Sequence, residues 1–435
     1  MRGGNEGCSV KAVGYRCSVC RDEFSLEAVT YTCPADGGNL DVVLEIPAIA
    51  ATTSPEKISS SRDHSIWRYL PLLPVEDPGF DRTPLRAVGW TPLFAPERLS
   101  RTVGLGDLWL KDDGRNPTAS FKDRASAVVV ARAREIGAET VATASTGNAG
   151  AALAGMAAAA GQPAVILAPK TAPPAKVAQL LIFGARVILV DGSYDQAFDL
   201  TLEASQALGW YCRNTGYNPF TVEGKKTAAY EICEQLAAAG ASRGAPPNRW
   251  RSPEAVFVSV GDGNIITGLH KGFKDLLDLG WIDRLPRLFG VQAEGSAAVY
   301  NAFVAGETTI RPVRAETLAD SISVDLPRDG LRALRAVRET GGAYVVVTDA
   351  EILAAIRTLA REAAVFAEPA GAAAYAGLAK AAVAGMVDPA DQVVLLVTGS
   401  GLKDVRAGMQ AAGEAVVLEP TLKALHRELE RTGVR

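Results

Sequence analysis

The sequence predicts an α/β fold built on parallel sheets, and two observations carry that reading. Short apolar, β-branched runs recur at residues 165–167, 187–190, 256–260, 288–291, 344–347 and 393–397; they are strand-length and rich in Val, Ile and Leu, as buried parallel strands are. Helical segments lie between them, so strand and helix alternate along the chain. With 435 residues, 48% of them hydrophobic, the chain can bury cores for two or three domains.

At the amino-terminal end, Cys17-Ser-Val-Cys20 is followed, after twelve intervening residues, by Cys33-Pro-Ala-Asp36. Two knuckle-like turns at that separation have zinc-ribbon spacing, and an aspartate in the fourth position is able to ligate zinc. Cys8 is an alternative fourth ligand, and a degenerate ribbon that folds without metal is the other reading. Cys212 and Cys233 read as small buried residues. Residues 48–61, small, polar and Pro-containing, read as a linker, and residues 238–249 as a surface connection.

Further on, Asp112-Asp113-Gly114-Arg115-Asn116-Pro117 predicts a turn, and Ala125, Val128, Val129, Ala133 and Ile136 predict a helix stopped by Gly137. Lys122 then falls in the first helical turn, where a Schiff-base lysine is wanted, although a lone helical lysine is more often a solvated one. A short strand at 141–143 leads into Ala144-Ser145-Thr146-Gly147-Asn148-Ala149-Gly150, whose small and hydroxyl residues leave N–H groups free for an anion at a positive helix end. The same loop also reads as an ordinary N-cap. Between the strand at 255–260 and a helix running toward Leu277, Ser259-Val260-Gly261-Asp262-Gly263-Asn264-Ile265 makes a glycine-rich turn. It lacks a P-loop lysine and dinucleotide spacing, so a phosphate monoester is the expected guest. Thr348-Asp-Ala-Glu351 is a capping box, alanine-rich residues 149–160 and 370–384 predict close-packed helices, and Thr398 ends the apolar strand at 393–397, where open α/β sheets bind ligands. Leu422, Leu425 and Leu429 mark an amphipathic helix for packing or oligomer contacts.

Taken in order, the Lys122 window, Ser-Thr-Gly-Asn148-Ala-Gly, the Gly261–Ile265 loop, Glu368-Pro-Ala-Gly-Ala-Ala and Thr398-Gly-Ser-Gly-Leu-Lys-Asp resemble threonine synthase, from about Trp67 to about Asp404. The resemblance implies a two-domain parallel-sheet sandwich of the tryptophan-synthase-β-like type, fold type II, with a degenerate zinc-ribbon-like segment in front; the ribbons of one subgroup carry a fourth cysteine where this chain has Asp36. The implied divisions are a ribbon at 1–47, a linker and arm at 48–80, a large catalytic domain at 81–125 and 220–415, a small one at 126–219, and a terminal helix at 416–435.

It further implies pyridoxal 5'-phosphate as cofactor, with Lys122 forming the covalent link, Asn148 at the phenolic oxygen, Gly261, Asp262, Gly263, Asn264 and Ile265 around the phosphate, and Thr398 facing the ring nitrogen. Ser145, Thr146 and Lys225 become candidate substrate contacts; Cys17, Cys20, Cys33 and Asp36 become candidate zinc ligands. A lysine must lose its proton to attack an aldehyde, so such a site has to depress its pKa. A neutral hydroxyl at the ring nitrogen suits elimination and replacement better than transamination.

The implied activity is that of a lyase converting O-phospho-L-homoserine and water to L-threonine and phosphate. The alternative is β-elimination or β-replacement on serine, threonine or phosphoserine, because the family's Asn-Pro-aromatic-Arg has become Asn218-Pro219-Phe220-Thr221, its Gly-His-Gly is Gly399-Ser400-Gly401, and glycines near Lys122 have become Ala119 and Ala125. A net charge of −4 offers nothing to nucleic acid. No apolar run reaches the roughly 18 residues of a membrane span, and the start lacks a signal-peptide core, so the expected setting is the cytoplasm, with thiols reduced. The expected partners are a small amino-acid substrate and, from the family, a second copy in a homodimer.

Overall fold

The computed structural model describes residues 11–79, 81–241 and 250–433. Its first sheet is small and antiparallel, in the order β2-β1-β3: β1 (Ala12–Cys17), β2 (Glu23–Phe24) and β3 (Leu40–Leu44). Then come β4 (Leu93–Phe94) and β5 (Asp107–Asp112), followed by β6 (Val141–Ala144), β7 (Ala164–Pro169), β8 (Arg186–Val190) and β9 (Tyr211–Cys212). The last strands are β10 (Ala255–Ser259), β11 (Arg287–Ala293), β12 (Tyr344–Val347) and β13 (Gln392–Val397).

β6 to β9 form a four-stranded parallel sheet in the order β8-β7-β6-β9. The remaining strands form a six-stranded sheet, β12-β11-β10-β13-β5-β4, parallel except for the β4 edge. This is the parallel-sheet α/β architecture expected from the alternation, and its two sheets agree with the fold type that the resemblance implied. The order has a direct consequence: β10, β13 and β5 are neighbours, so three loops far apart in sequence leave the sheet side by side at its carboxyl edge, where such sheets bind ligands.

The runs expected as strands are strands. β5 was not among them, because Asp-Leu-Trp-Leu-Lys-Asp mixes charge into the run; Lys111 is fully buried there and its ammonium donates to Glu231 Oε2 at 2.7 Å. Glu231 also takes Arg124 Nη1 at 2.5 Å, and Arg124 Nε reaches Asp113 Oδ2 at 2.6 Å. Removing one member would strand a buried charge, which typically costs about 3–5 kcal/mol. The network ties β5 to the helix Lys122–Glu135, so it holds that helix's first turn in place. Gly224 packs so tightly on this helix that a Cβ would lie 2.1 Å from Arg124 O.

Two expectations need correction. Residues 48–61 are not a linker but carry two short helices, Ile46–Thr52 and Pro55–Ser59, each started by proline and each pinned by a buried isoleucine, Ile49 or Ile58. The helix Thr227–Ala241 runs into the expected connection at 238–249, of which 242–249 lie outside the described residues, as does Cys8. The helix Leu422–Thr432 forms, but it buries no residue against this chain. Thr348 and Glu351 do form the capping box. Among the described residues no helix is long and apolar enough to cross a membrane.

Candidate active site

A cavity of about 670 Å³ opens where the loops after β5, β6, β10 and β13 converge, and Lys122, Ser145, Thr146, Asn148, Lys225, residues 261–265 and Thr398 all line it. The sequence windows were read separately, and the fold brings them together.

Lys122 starts its helix straight after a turn clamped to the end of β13. Phe121 N–H donates to Thr398 O at 2.9 Å, and Ser400 N–H donates to Ala119 O at 3.0 Å. Burial pushes the Lys122 amine down from 10.5 to about 8; the nearby Arg213 charge helps, while Asp262 and Glu368 oppose. That is the direction a nucleophilic amine needs. Next to it, Asp123 is pushed up to about 6 by burial, although its carboxylate accepts the Thr118 N–H at 2.6 Å.

Across the cavity lies the glycine-rich turn. Gly263 has φ +91°, and a Cβ there would sit 2.7 Å from Ala333 Cβ; a Cβ on Gly261 would sit 2.9 Å from Ile322 Cα. Only glycine fits this path. Among the described residues nothing accepts from the backbone N–H groups of residues 261–265, which stand at the amino end of the helix Asn264–Asp278. Free N–H groups at a positive helix end are an anion cradle. Beneath it Lys225 is fully buried, its ammonium against Asn264 Oδ1, and Asn264 Nδ2 donates to Asp329 Oδ2 at 2.7 Å. Burial, then the charges of Lys122 and Arg213, hold the Lys225 amine well below its usual range.

The loop after β6 ends at Asn148, first residue of the helix Asn148–Ala160. The Asn148 amide donates to Glu368 Oε1 at 2.7 Å, and burial raises that carboxyl. A Cβ at Gly150 would lie 2.0 Å from Ser145 O, so this glycine lets the loop close onto the helix. Sequence reasoning missed Arg213, which also lines the cavity. It follows β9, a strand of two residues too short to leave a periodic signal.

The four expected metal ligands come together elsewhere. The ligand atoms of Cys17, Cys20, Cys33 and Asp36 all lie within 4.8 Å of one another, with Cys20 Sγ 3.7 Å from Cys33 Sγ and Cys17 Sγ 3.4 Å from Asp36 Oδ1. Zinc–sulfur bonds of about 2.3 Å in a tetrahedron place two sulfurs roughly 3.8 Å apart, so the donor set and its spacing fit zinc. The ribbon docks beside the cavity: Asn39 Nδ2 donates to Asp329 Oδ1 at 3.2 Å, Arg332 pairs with Asp41 at 2.7 Å, and Tyr31 stacks on Tyr217 at 4.4 Å.

A lowered lysine facing a phosphate-sized N–H cradle in a parallel α/β sheet describes a pyridoxal-phosphate site, and residues 85–399 match the family described as pyridoxal-phosphate dependent enzyme. Threonine synthase of Methanocaldococcus jannaschii is 37% identical over 417 residues, spanning 95% of this chain and 99% of that one. Threonine synthase of Methanosarcina acetivorans is 38% identical over 417 residues, spanning 95% and 98%. The chain belongs to the pyridoxal-phosphate-dependent enzymes and, within them, to the threonine synthase family. Among solved structures, threonine deaminase isoform 2 of Solanum lycopersicum superposes with a TM-score of 0.60 at 23% identity, covering 82% of this chain and 87% of that chain. Diaminopropionate ammonia lyase of Escherichia coli gives 0.61 at 21% identity, covering 74% and 86%. These two share the fold.

Proposed function

We propose that the protein converts O-phospho-L-homoserine and water to L-threonine and phosphate. The observation that carries the reading is the convergence of the lowered Lys122 amine and the free N–H cradle of residues 261–265 on one cavity, in a chain that aligns over nearly its whole length with threonine synthases.

Pyridoxal phosphate, when bound, supplies an electron sink for the substrate's α carbon. The chain's residues do the rest. Lys122 would hold the cofactor and, once released, its Nζ would take the α proton and then a β proton of the substrate. The N–H groups of Gly261, Asp262, Gly263, Asn264 and Ile265 would hold the cofactor phosphate, and Lys225 stiffens that loop through Asn264. Asn148, its amide oriented by Glu368, would hold the cofactor ring. Thr398 offers the ring nitrogen a neutral hydroxyl. Ser145 and Thr146 hold the substrate carboxylate at the amino end of their helix. Phosphate would then leave from the γ carbon, the two protons taken at Nζ would return to the γ and α carbons, and water would add its hydroxyl at the β carbon, its other proton going to the released phosphate.

The same reading includes zinc on Cys17, Cys20, Cys33 and Asp36, a cytoplasmic setting and a homodimer. The exposed Leu422 and Leu425 side chains on the terminal helix support the dimer. It also includes the division into a small domain carrying β6 to β9 and a large one carrying the six-stranded sheet.

The test is to add O-phospho-L-homoserine to cofactor-loaded enzyme and follow phosphate and amino-acid products together. Phosphate and threonine in equal amounts are expected. Keto acid from serine or threonine with no phosphate release would replace the reading with β-elimination.

A further inference from the structure

Among the described residues four arginines are buried. Arg68 pairs with Glu234, Arg124 with Asp113 and Glu231, and Arg332 with Asp329 and Asp41. Arg213 is fully buried and, among the described residues, has no carboxylate partner. Its Nε donates to Ser126 Oγ at 3.2 Å and its Nη1 to Thr215 Oγ1 at 2.7 Å, while Nη2 has no partner. The two hydroxyls fix the guanidinium plane without neutralising it. A buried cation with a spare donor is unfavourable unless an anion completes it, and this one lines the cavity that holds Lys122.

A phosphorylated amino acid bound with the cofactor brings two anions beyond the cofactor phosphate. The N–H groups of the loop at residues 145–148 suit the carboxylate, and the cradle at 261–265 is taken by the cofactor. The substrate phosphate therefore needs its own cation. Thr221 cannot supply one: it carries no charge, is fully buried, and its hydroxyl donates to Asn218 O at 2.8 Å and Asn264 Oδ1 at 3.2 Å. Of the other cations lining the cavity, Lys225 is held under the cradle by Asn264, Lys176 pairs with Asp320, and Arg328 pairs with Asp195 at 2.7 Å. We infer that Arg213 binds the phosphate of the substrate through Nη2, supplying from the loop after β9 the guanidinium that position 221 lacks.

This inference rests on the proposed phosphorylated substrate. It is tested on the holoenzyme with Arg213→Gln, Arg213→Lys and the double variant Arg213→Gln/Thr221→Arg, measuring kcat and KM for O-phospho-L-homoserine, competitive inhibition by inorganic phosphate, and the visible spectral change on adding L-threonine. Loss of a charge-assisted contact to one ligand should raise KM and weaken phosphate inhibition by about 10- to 100-fold. Threonine binding and cofactor retention should change little, Arg213→Lys should recover part of the loss, and the double variant most of it. Equal phosphate inhibition in wild type and Arg213→Gln overturns the inference. So does a variant that loses threonine binding as severely as phosphate binding, which would put Arg213 at the carboxylate, or one that sheds cofactor. A double variant with wild-type KM supports the inference even where Arg213→Gln alone folds poorly. A wild-type enzyme that releases no phosphate from the substrate removes the proposed reaction itself, whatever the variants do, and this inference falls with it.

Discussion

The cavity and the Cys17 cluster are both ligand-shaped collections of polar groups, yet the chain assembles them in opposite ways. The cluster draws on residues 17–36 alone and needs little beyond two tight turns and one backbone-bound aspartate, whose Oδ1 accepts the Gly38 N–H at 2.7 Å. The cavity joins groups as distant as Lys122, Arg213, Gly263 and Thr398, and each is aimed by a different strand end. A local site can be disturbed without loss of the whole; a site made by sheet order cannot be rebuilt by local adjustment. The two are also bridged, because Asp329 accepts from Asn39 in the ribbon and from Asn264 at the cradle.

The largest effect is expected inside the cavity. Lys122→Ala should abolish the visible absorbance of bound cofactor and lower kcat by at least about a thousandfold, since the proposed covalent link and proton acceptor are both lost. Absorbance spectra and single-turnover assays check this, and near-normal turnover would mean that the wrong lysine has been chosen.

The ribbon should respond differently. With free zinc near a thousandfold above Kd, linkage is worth about 4 kcal/mol, so chelation, or Cys17→Ser, should lower the thermal midpoint while most bound cofactor is retained. Metal analysis and melting curves followed at the cofactor's absorbance separate the two sites. Cofactor release on chelation in step with zinc loss would show that the Asn39–Asp329–Asn264 bridge makes them one unit.

A third expectation follows from the lysine's charge. With its pKa brought down to about 8, the Lys122 amine of cofactor-free enzyme is neutral in only about a tenth of molecules at pH 7. Cofactor uptake should accelerate about fivefold between pH 7 and pH 8 and level off above pH 9. The sign follows from burial and Arg213, which favour the neutral amine, outweighing Asp262 and Glu368. Stopped-flow uptake at several pH values checks this; a rate still climbing steeply at pH 10 would argue that the amine keeps its ordinary value.

What the sequence disclosed follows the same division. Apolar runs between glycines were legible as strands because burial on both faces leaves a continuous hydrophobic signature, and the loops were legible because glycine and hydroxyl residues follow those runs. β5 was hidden because a buried lysine looks like a surface one until Glu231 is known to face it. Arg213 was hidden for a related reason: nothing local distinguishes an arginine left unpaired in a cavity from one in solvent. Residues 48–61 looked like a linker because their composition is small and polar, while two isoleucines suffice to dock their helices.

The smallest expected effect concerns a position where sequence and structure agree that something is unusual. Ala119 has φ +63°, a left-handed conformation that an L side chain adopts at a cost of about 1 kcal/mol. The conformation persists because neighbours over-determine it: Ala119 N–H donates to Asn116 O at 2.8 Å and Ala119 O accepts from Ser400 N–H at 3.0 Å, closing the turn that precedes Lys122. Ala119→Gly should relieve that strain and raise unfolding free energy by about 0.5–1 kcal/mol, measured as a shift in denaturant midpoint at unchanged slope. Since glycine also loosens the unfolded chain, a gain means that strain outweighs entropy here, and a loss of stability would mean that the turn costs alanine little. Either result bears on the comparison of the two sites, because this turn joins the end of β13 to Lys122 and is the most local part of an otherwise non-local site.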